Sequence, residues 1–431
     1  GIVPAEVGNT VSGQVNIISK SGTQEFHGTA FHLYQSGSLN ARDPFVSGPN
    51  PKQVYNQFGA SAGFPLLPEG GFGLFDSAFG FFAYEGYREI IGRQKSQDIP
   101  TPFAKTMMAT GLGNYDARHQ GMMAALMEPL PDPNIASTFE GCTPCANGTY
   151  DASITFADLP IGGRYETVRT EAANDDTMLF KSDVHFTDGS HIAFTYNRLD
   201  PDFNYARITP QNDRVWHDGS ARYAVSFDRS SASWILETRA GLTKLIQERP
   251  GTLFEKYQYY PPGHSGTMEF IGARSLAGID VRGPGTFDGL GGETWNADSN
   301  TWSIDQKIGY ISGNHHIKFG GSYRYKGGNR ANPEMAYYRF ANFTELMLNK
   351  IIRVNYTWGE PQHNARTFTF GGFIQDDWKI SPTFTLNIGL RYDYVSNMQA
   401  TRRFDTGTRE VVYLNLEAPT DWPTFNFGRP L

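Results

Sequence analysis

Residues 383–395, TFTLNIGLRYDYV, alternate almost without a break. Phe384, Leu386, Ile388, Leu390, Tyr392 and Tyr394 fall on one side. Thr383, Thr385, Asn387, Gly389, Arg391 and Asp393 fall on the other. A side-chain period of two defines a β-strand with one apolar and one polar face. At about 3.3 Å per residue the stretch reaches roughly 43 Å. A tilt of about 40° leaves roughly 33 Å of height, enough to cross an apolar band of about 25 Å. Strands in soluble domains average only about 5–6 residues.

The same pattern recurs. In TMLFKSDVHF (177–186), Leu179, Lys181, Asp183 and His185 oppose Met178, Phe180, Ser182, Val184 and Phe186. In HHIKFGGSYRYK (315–326), Ile317, Phe319, Tyr323 and Tyr325 oppose Lys318, Ser322, Arg324 and Lys326. HIAFTYNRL (191–199) and noisier runs near 25–36, 54–66, 77–92, 221–229, 233–248, 299–311 and 367–379 bring the expectation to about eleven strands. Only 121–128 has a weak helical pattern.

The connections show which way the apolar face turns. Turns at 187–190, 228–231, 312–314 and 381–382 are very short and carry Gly, Asn, Ser or Pro. Between them lie long stretches at 93–175, 200–220, 249–298 and 327–366. In an antiparallel meander, this alternation collects all short turns at one end and all long loops at the other. The asymmetry predicts an all-β, antiparallel transmembrane barrel with short periplasmic turns and long extracellular loops. The apolar face then meets lipid and the polar face lines a wet lumen.

Composition agrees. Hydrophobic residues are only 39%, while 31 Phe, 22 Tyr and 47 Gly stand in for aliphatic core-formers. Rings suit a surface that is apolar at one end and wet at the other. Mean hydropathy is −0.44. The net charge of −7 argues against a nucleic-acid partner. No run of about 18 apolar residues offers a transmembrane helix.

The chemistry-bearing motifs are weak as catalytic signals. GASAG (59–63) fits G-x-S-x-G, but a strand continues through it where a nucleophile elbow needs a turn and a helix. GGFG (70–73) lacks the Lys-Ser/Thr of a phosphate loop. His315-His316 and Asp376-Asp377 each split across the two faces of a strand, which makes a shared metal improbable. No enzyme, metal or cofactor is expected. Cys142 and Cys145 in GCTPCANG lack both a βαβ setting and a second ligand pair, and predict a small loop disulfide. Lys181, Asp183, His185, Lys318, Arg324, Lys326, Arg391 and Asp393 are expected to face the lumen, solvating it or bonding what fills it. The loop aromatics Trp216, Tyr257, Tyr259, Tyr260, Tyr337 and Tyr338 are the candidate ligand contacts, with loop packing as the plainer reading.

Two stretches go beyond pattern. VSGQVNIISKSGTQEFHGTAF (11–31) resembles the plug-to-barrel junction of TonB-dependent outer-membrane receptors, through Val15, Asn16, Ile17, Lys20, Ser21, Gly22, Phe26, His27 and Gly28. LNARDPF (39–45), NQFGASAGFPL (56–66), FFAYEGYR (81–88) and FIQDDWKISPTFTLNIGLRYDY (373–394) are similar to the Oar-like branch of that superfamily. Gln14 stands where the family carries a second Gly. The resemblance implies a fragment: the end of the plug over 1–23, then the first half of a barrel of 22 strands over 24–431. It implies a place in the outer membrane of a Gram-negative bacterium, in contact with its lipid. It also implies import of a scarce solute, siderophore, glycan or peptide, driven by a TonB–ExbB–ExbD complex pulling on the plug. The alternatives are a surface barrel for adhesion or structure, and a soluble secreted β-rich protein acting on carbohydrate.

Overall fold

The computed structural model describes residues 5–8, 18–41, 52–68, 70–110, 127–128, 130–141, 160–208, 210, 213–249, 278–281, 287–288, 295–331, 337–347, 352–356, 362–402 and 412–415. Eleven long strands form an antiparallel meander. They are β1 (His27–Ser36), β2 (Gln53–Pro65), β3 (Phe75–Pro100), β4 (Pro160–Phe186), β5 (His191–Tyr205) and β6 (Arg214–Ser230). Then come β7 (Trp234–Arg249), β8 (Trp295–Ser312), β9 (His315–Ala331), β10 (Gln362–Ser381) and β11 (Phe384–Val395). Each pairs with its neighbours in sequence order. The sheet is not closed: among the described residues β1 pairs only β2, and β11 only β10.

Short turns join β4 to β5, β6 to β7, β8 to β9 and β10 to β11, all at one end. Gly189 (φ 79°) and Gly313 (φ 58°) occupy left-handed positions in two of them, where a Cβ would be strained. Asp188 closes the first, its Oδ1 accepting the Ser190 N–H at 3.0 Å. GGFG belongs to the β2–β3 turn, with three positive-φ glycines. GASAG lies inside β2.

Register turns the local alternation into two walls. One row runs Asp183, Ala193, Ser226, Arg239, Asp305, Ser322, Gly371, Asp393 from β4 to β11. The row one residue away reads Ser182, Phe194, Val225, Ala240, Ile304, Tyr323, Phe370, Tyr394. The second face is greasy and exposed: Ile388 is 59% and Leu390 72% accessible. A sheet that leaves such residues uncovered along its length faces lipid.

The described parts of the long connections carry strands and helices that their composition does not suggest. β3 and β4 run 26 and 27 residues, well past the expected 77–92 and 177–186, because their pairing continues through Pro100↔Gly162. Above them sits a dry cluster of Ile99, Met107, Met108, Ile161, Phe343 and Leu346. It joins helix α1 (Pro102–Thr110) to helix α2 (Phe343–Met347), neither of which the hydrophobic pattern indicates. A Cβ on Gly162 would come within 2.9 Å of the Phe343 ring, so the glycine admits the close approach. A second, five-stranded sheet draws on two connections and on residues that follow β11: Phe287–Asp288, Gly278–Val281, Tyr337–Phe340, Arg353–Tyr356 and Val412–Asn415, in that order. Most of the weak helical stretch 121–128 lies outside the described residues.

Candidate functional site

All eight polar residues singled out above share one face of the sheet, fixed by the ladder through Asp183, Ser322 and Asp393. They do not converge on one centre. Arg391 and Asp393 form a two-pronged pair, 2.7 Å on each prong. Lys318 reaches Asp377 at 3.2 Å, and Arg324 lies 3.9 Å from Asp305. Lys326 is exposed. Lys181 and His191 each lie 3.2 Å from Asp183 Oδ1, and His185 stacks on His191 at 4.5 Å.

The N-terminal residues lie against this same face. Ser21 donates its hydroxyl to Asp183, which is only 4% exposed. Gly22 packs so closely on Gly80 that a Cβ would meet the Gly80 carbonyl oxygen at 2.2 Å. At the other side of the sheet Ala5 donates its N–H to Gln375 at 2.9 Å and accepts from Arg391 at 3.3 Å. Glu6 pairs with Lys307 at 3.5 Å. Residues 5–6 and 21–22 are therefore held by both main-chain and side-chain contacts to strands far apart in the sheet.

A second cluster occupies the same face at the long-loop end. Trp216 stacks on Tyr205, 6.1 Å away with planes 7° apart. Arg249 lies 4.4 Å over the Trp216 ring, and Lys95 lies 4.3 Å over Tyr205. Lys95 is held there by buried Glu171 at 2.5 Å, which Arg93 also reaches at 2.6 Å. Cation–ring contacts of this kind stabilise by about 0.5–2 kcal/mol each. Beside the cluster Phe203 helps to line a cleft of about 310 Å³ together with Tyr87, Glu85, Asp175 and Asp202. Of this group the sequence singled out Trp216 alone. Tyr205, Arg249, Lys95 and Glu171 fall in stretches that read as loop or at strand ends, and only the extended pairing of β3 with β4 and β5 with β6 places them together.

Tyr337 and Tyr338 sit in the second sheet, beside Gly278–Val281. Tyr257, Tyr259, Tyr260, Cys142 and Cys145 lie outside the described residues. Among the described residues no three His, Cys, Asp or Glu side chains gather as a metal site.

A long-stranded antiparallel sheet with an apolar, exposed outer face and a polar inner face defines an outer-membrane barrel. The family profile described as "Outer membrane beta barrel domain" matches residues 18–419, and the chain belongs to that family. It is 23% identical to the TonB-dependent transporter Oar of Myxococcus xanthus over 435 residues, covering 91% of this chain and 39% of that protein. The outer membrane transporter YddB of Escherichia coli superposes with a TM-score of 0.47 at 14% identity, over 88% of this chain and 41% of the other. The chain thus spans about two fifths of the length of either protein.

Proposed function

We propose that this chain is the plug end and first barrel half of a TonB-coupled importer of a scarce extracellular solute. The observation that carries the reading is the docking of residues 5–8 and 18–22 on the polar wall, anchored by Ser21–Asp183 and by Ala5 between Gln375 and Arg391. Residues 1–23 are then the end of the plug and 24–431 the barrel wall. The unpaired edges of β1 and β11 are sites for further strands, since a barrel spans lipid by pairing every backbone group. The likeness to the Myxococcus xanthus transporter supports TonB as the source of energy.

The ligand enters at the long-loop end of the same wall. Trp216, Tyr205 and Phe203 offer ring area there, and the adjoining cleft supplies carboxylates and a phenol. Binding and passage require no covalent chemistry, so the chain is not an enzyme in this reading. Tyr257, Tyr259, Tyr260, Tyr337 and Tyr338 are proposed as further loop contacts, and Cys142–Cys145 as a disulfide that shapes one loop.

The test is a reversible lock. Ser21→Cys with Asp183→Cys, oxidised in cells producing the full-length protein, should stop solute depletion from the medium, read by untargeted mass spectrometry against a deletion strain. Reduction should restore it. No solute depleted relative to the deletion strain would favour an adhesive or structural barrel, and depletion that continues with the contact locked would overturn the role given to the N-terminal segment.

A further inference from the structure

The cleft of about 310 Å³ on the polar wall has a definite chemistry of its own. Tyr87 and Asp175 are cross-strand partners, as are Glu85 and Thr177. Asp175 and Ala173 lie opposite Pro201 and Phe203 on the next strand. In an antiparallel pair, diagonal neighbours such as Glu85 and Asp175 have Cα atoms about 7–8 Å apart. Asp175 stands eleven positions up β4 from Phe186 at the short-turn end. At about 3.3 Å per residue and a tilt of about 40°, that is roughly 28 Å of height, just past an apolar band of about 25 Å. The cleft therefore lies at the outer mouth, within reach of a solute arriving from outside.

Carboxylates around the cleft are matched by cations. Asp176 pairs with Arg88 at 2.7 Å on the opposite face. Buried Glu171 holds Lys95 and Arg93, and Asp218 lies 3.7 Å from Arg249. Asp202, also in the lining, pairs with His217 at 2.9 Å. Glu85 and Asp175 differ. Glu85 accepts from the Gln57 amide at 2.6 Å, and Asp175 from the Thr177 hydroxyl at 3.5 Å. Neither has a cationic partner among the described residues, and no Lys, Arg or His lines the cleft. Rings complete the walls. Tyr87 is braced edge-on by Tyr55 at 5.1 Å and spends its hydroxyl on Glu89 at 2.7 Å, which leaves its ring to the cleft. Phe203 lies 6.1 Å from Trp216 and extends the apolar surface outward. Ring faces and carboxylates both attract a cation. Two separated carboxylates suit the several N–H donors of an organic cation better than the single centre of a metal ion.

We propose that this cleft binds its solute through a protonated amine or guanidinium. Glu85 and Asp175 accept the N–H groups, while Tyr87 and Phe203 hold an apolar or aromatic body that runs toward Trp216. The inference rests on the import reading for the solute's passage, and names the class of solute that the same wall takes.

The test measures binding to the full-length protein in detergent, with three probes of similar shape: naphthylethylammonium, naphthylethanol and naphthylacetate. Affinities come from saturation-transfer NMR titrations. The ammonium should bind about tenfold tighter than the alcohol, and the carboxylate should bind weakest. Glu85→Gln and Asp175→Asn should each weaken the ammonium about fivefold and leave the alcohol unchanged. Phe203→Ala should weaken both. Glu25→Gln, which neutralises an 84% exposed carboxylate at the short-turn end, should change neither. Heat-modifiable migration confirms that each variant is folded. An ammonium bound no tighter than the alcohol, or unmoved by both neutralising changes, would overturn the proposal. So would displacement of the ammonium by magnesium ions at equal concentration, the mark of an inorganic cation site. The depletion assay separates this inference from the import reading. Uptake of a solute without a cationic nitrogen overturns the inference and leaves import standing. No depletion, with the binding pattern intact, overturns import and leaves the specificity of the cleft standing.

Discussion

Ser21 gives its hydroxyl to the buried carboxylate of Asp183, 162 residues away in sequence. Lys181 and His191 hold the same carboxylate, so Asp183 stays partnered when Ser21 leaves. Such a contact anchors a segment without making its release prohibitive. Ser21→Ala should therefore cost little, about 0.5–1.5 kcal/mol of docking. Asp183→Ala should cost more, because it also leaves the half-buried Lys181 without the carboxylate that holds it. Hydrogen exchange of residues 18–22 checks the order; equal protection in both variants would contradict it.

Gly22 and Gly80 touch backbone to backbone. Gly22→Val places a branched side chain where a Cβ already meets a carbonyl oxygen at 2.2 Å. It should displace the N-terminal segment while leaving the sheet intact. The readout is new protease sensitivity near residue 22 in a protein that still migrates as a folded barrel.

Asn387 and Ile388 are neighbours on β11 with opposite surroundings. Asn387 lies opposite Asp377 on the polar wall, and Ile388 is 59% exposed on the apolar one. In the full-length protein Asn387→Arg should be tolerated. Ile388→Arg should destabilise by about 2–4 kcal/mol near the mid-plane. Refolding titrations in lipid vesicles measure both, and the reverse ranking would shift the register by one residue.

The two ends of the barrel face different compartments. Asn314→Cys, in an exposed short turn, should resist a membrane-impermeant maleimide on intact cells and react after lysis. Thr110→Cys, at the exposed end of α1, should react on intact cells. Labelling in the opposite sense would invert the topology.

Asp188, in a short turn outside the band, is held below the ordinary carboxylate range, chiefly by the Ser190 hydroxyl and then by the Ser190 N–H. A lowered folded-state pKa makes the carboxylate a stabilising group above about 3.9, its ordinary value, and that stabilisation is lost as pH falls through the lowered one. Asp188→Asn should weaken the β4–β5 hairpin at neutral pH and match wild type in strong acid. Exchange rates of the Ser190 amide, corrected for intrinsic pH dependence, provide the comparison.

Much of this architecture is legible from residues in order. A period of two is a local property, so 383–395 declares its two faces with no knowledge of its neighbours. Turn residues are local too, and Asp188-Gly189 and Gly313-Asn314 mark reversals wherever their strands end up. The alternation of short and long connections then orients the whole meander. Tertiary structure decided what depends on pairing between distant segments. Register brought Trp216 to Tyr205 and Arg249, and aligned Lys244, Asn300, Gly327 and Arg366 into one row, although nothing near any of them in sequence predicts the others. The parallel pairing of Tyr337–Phe340 with Gly278–Val281, and the dry contact of Phe343 with Gly162, join connections whose composition reads as loop. Their apolar residues are too few in any one segment to show a period, and they form a core only where separate segments meet.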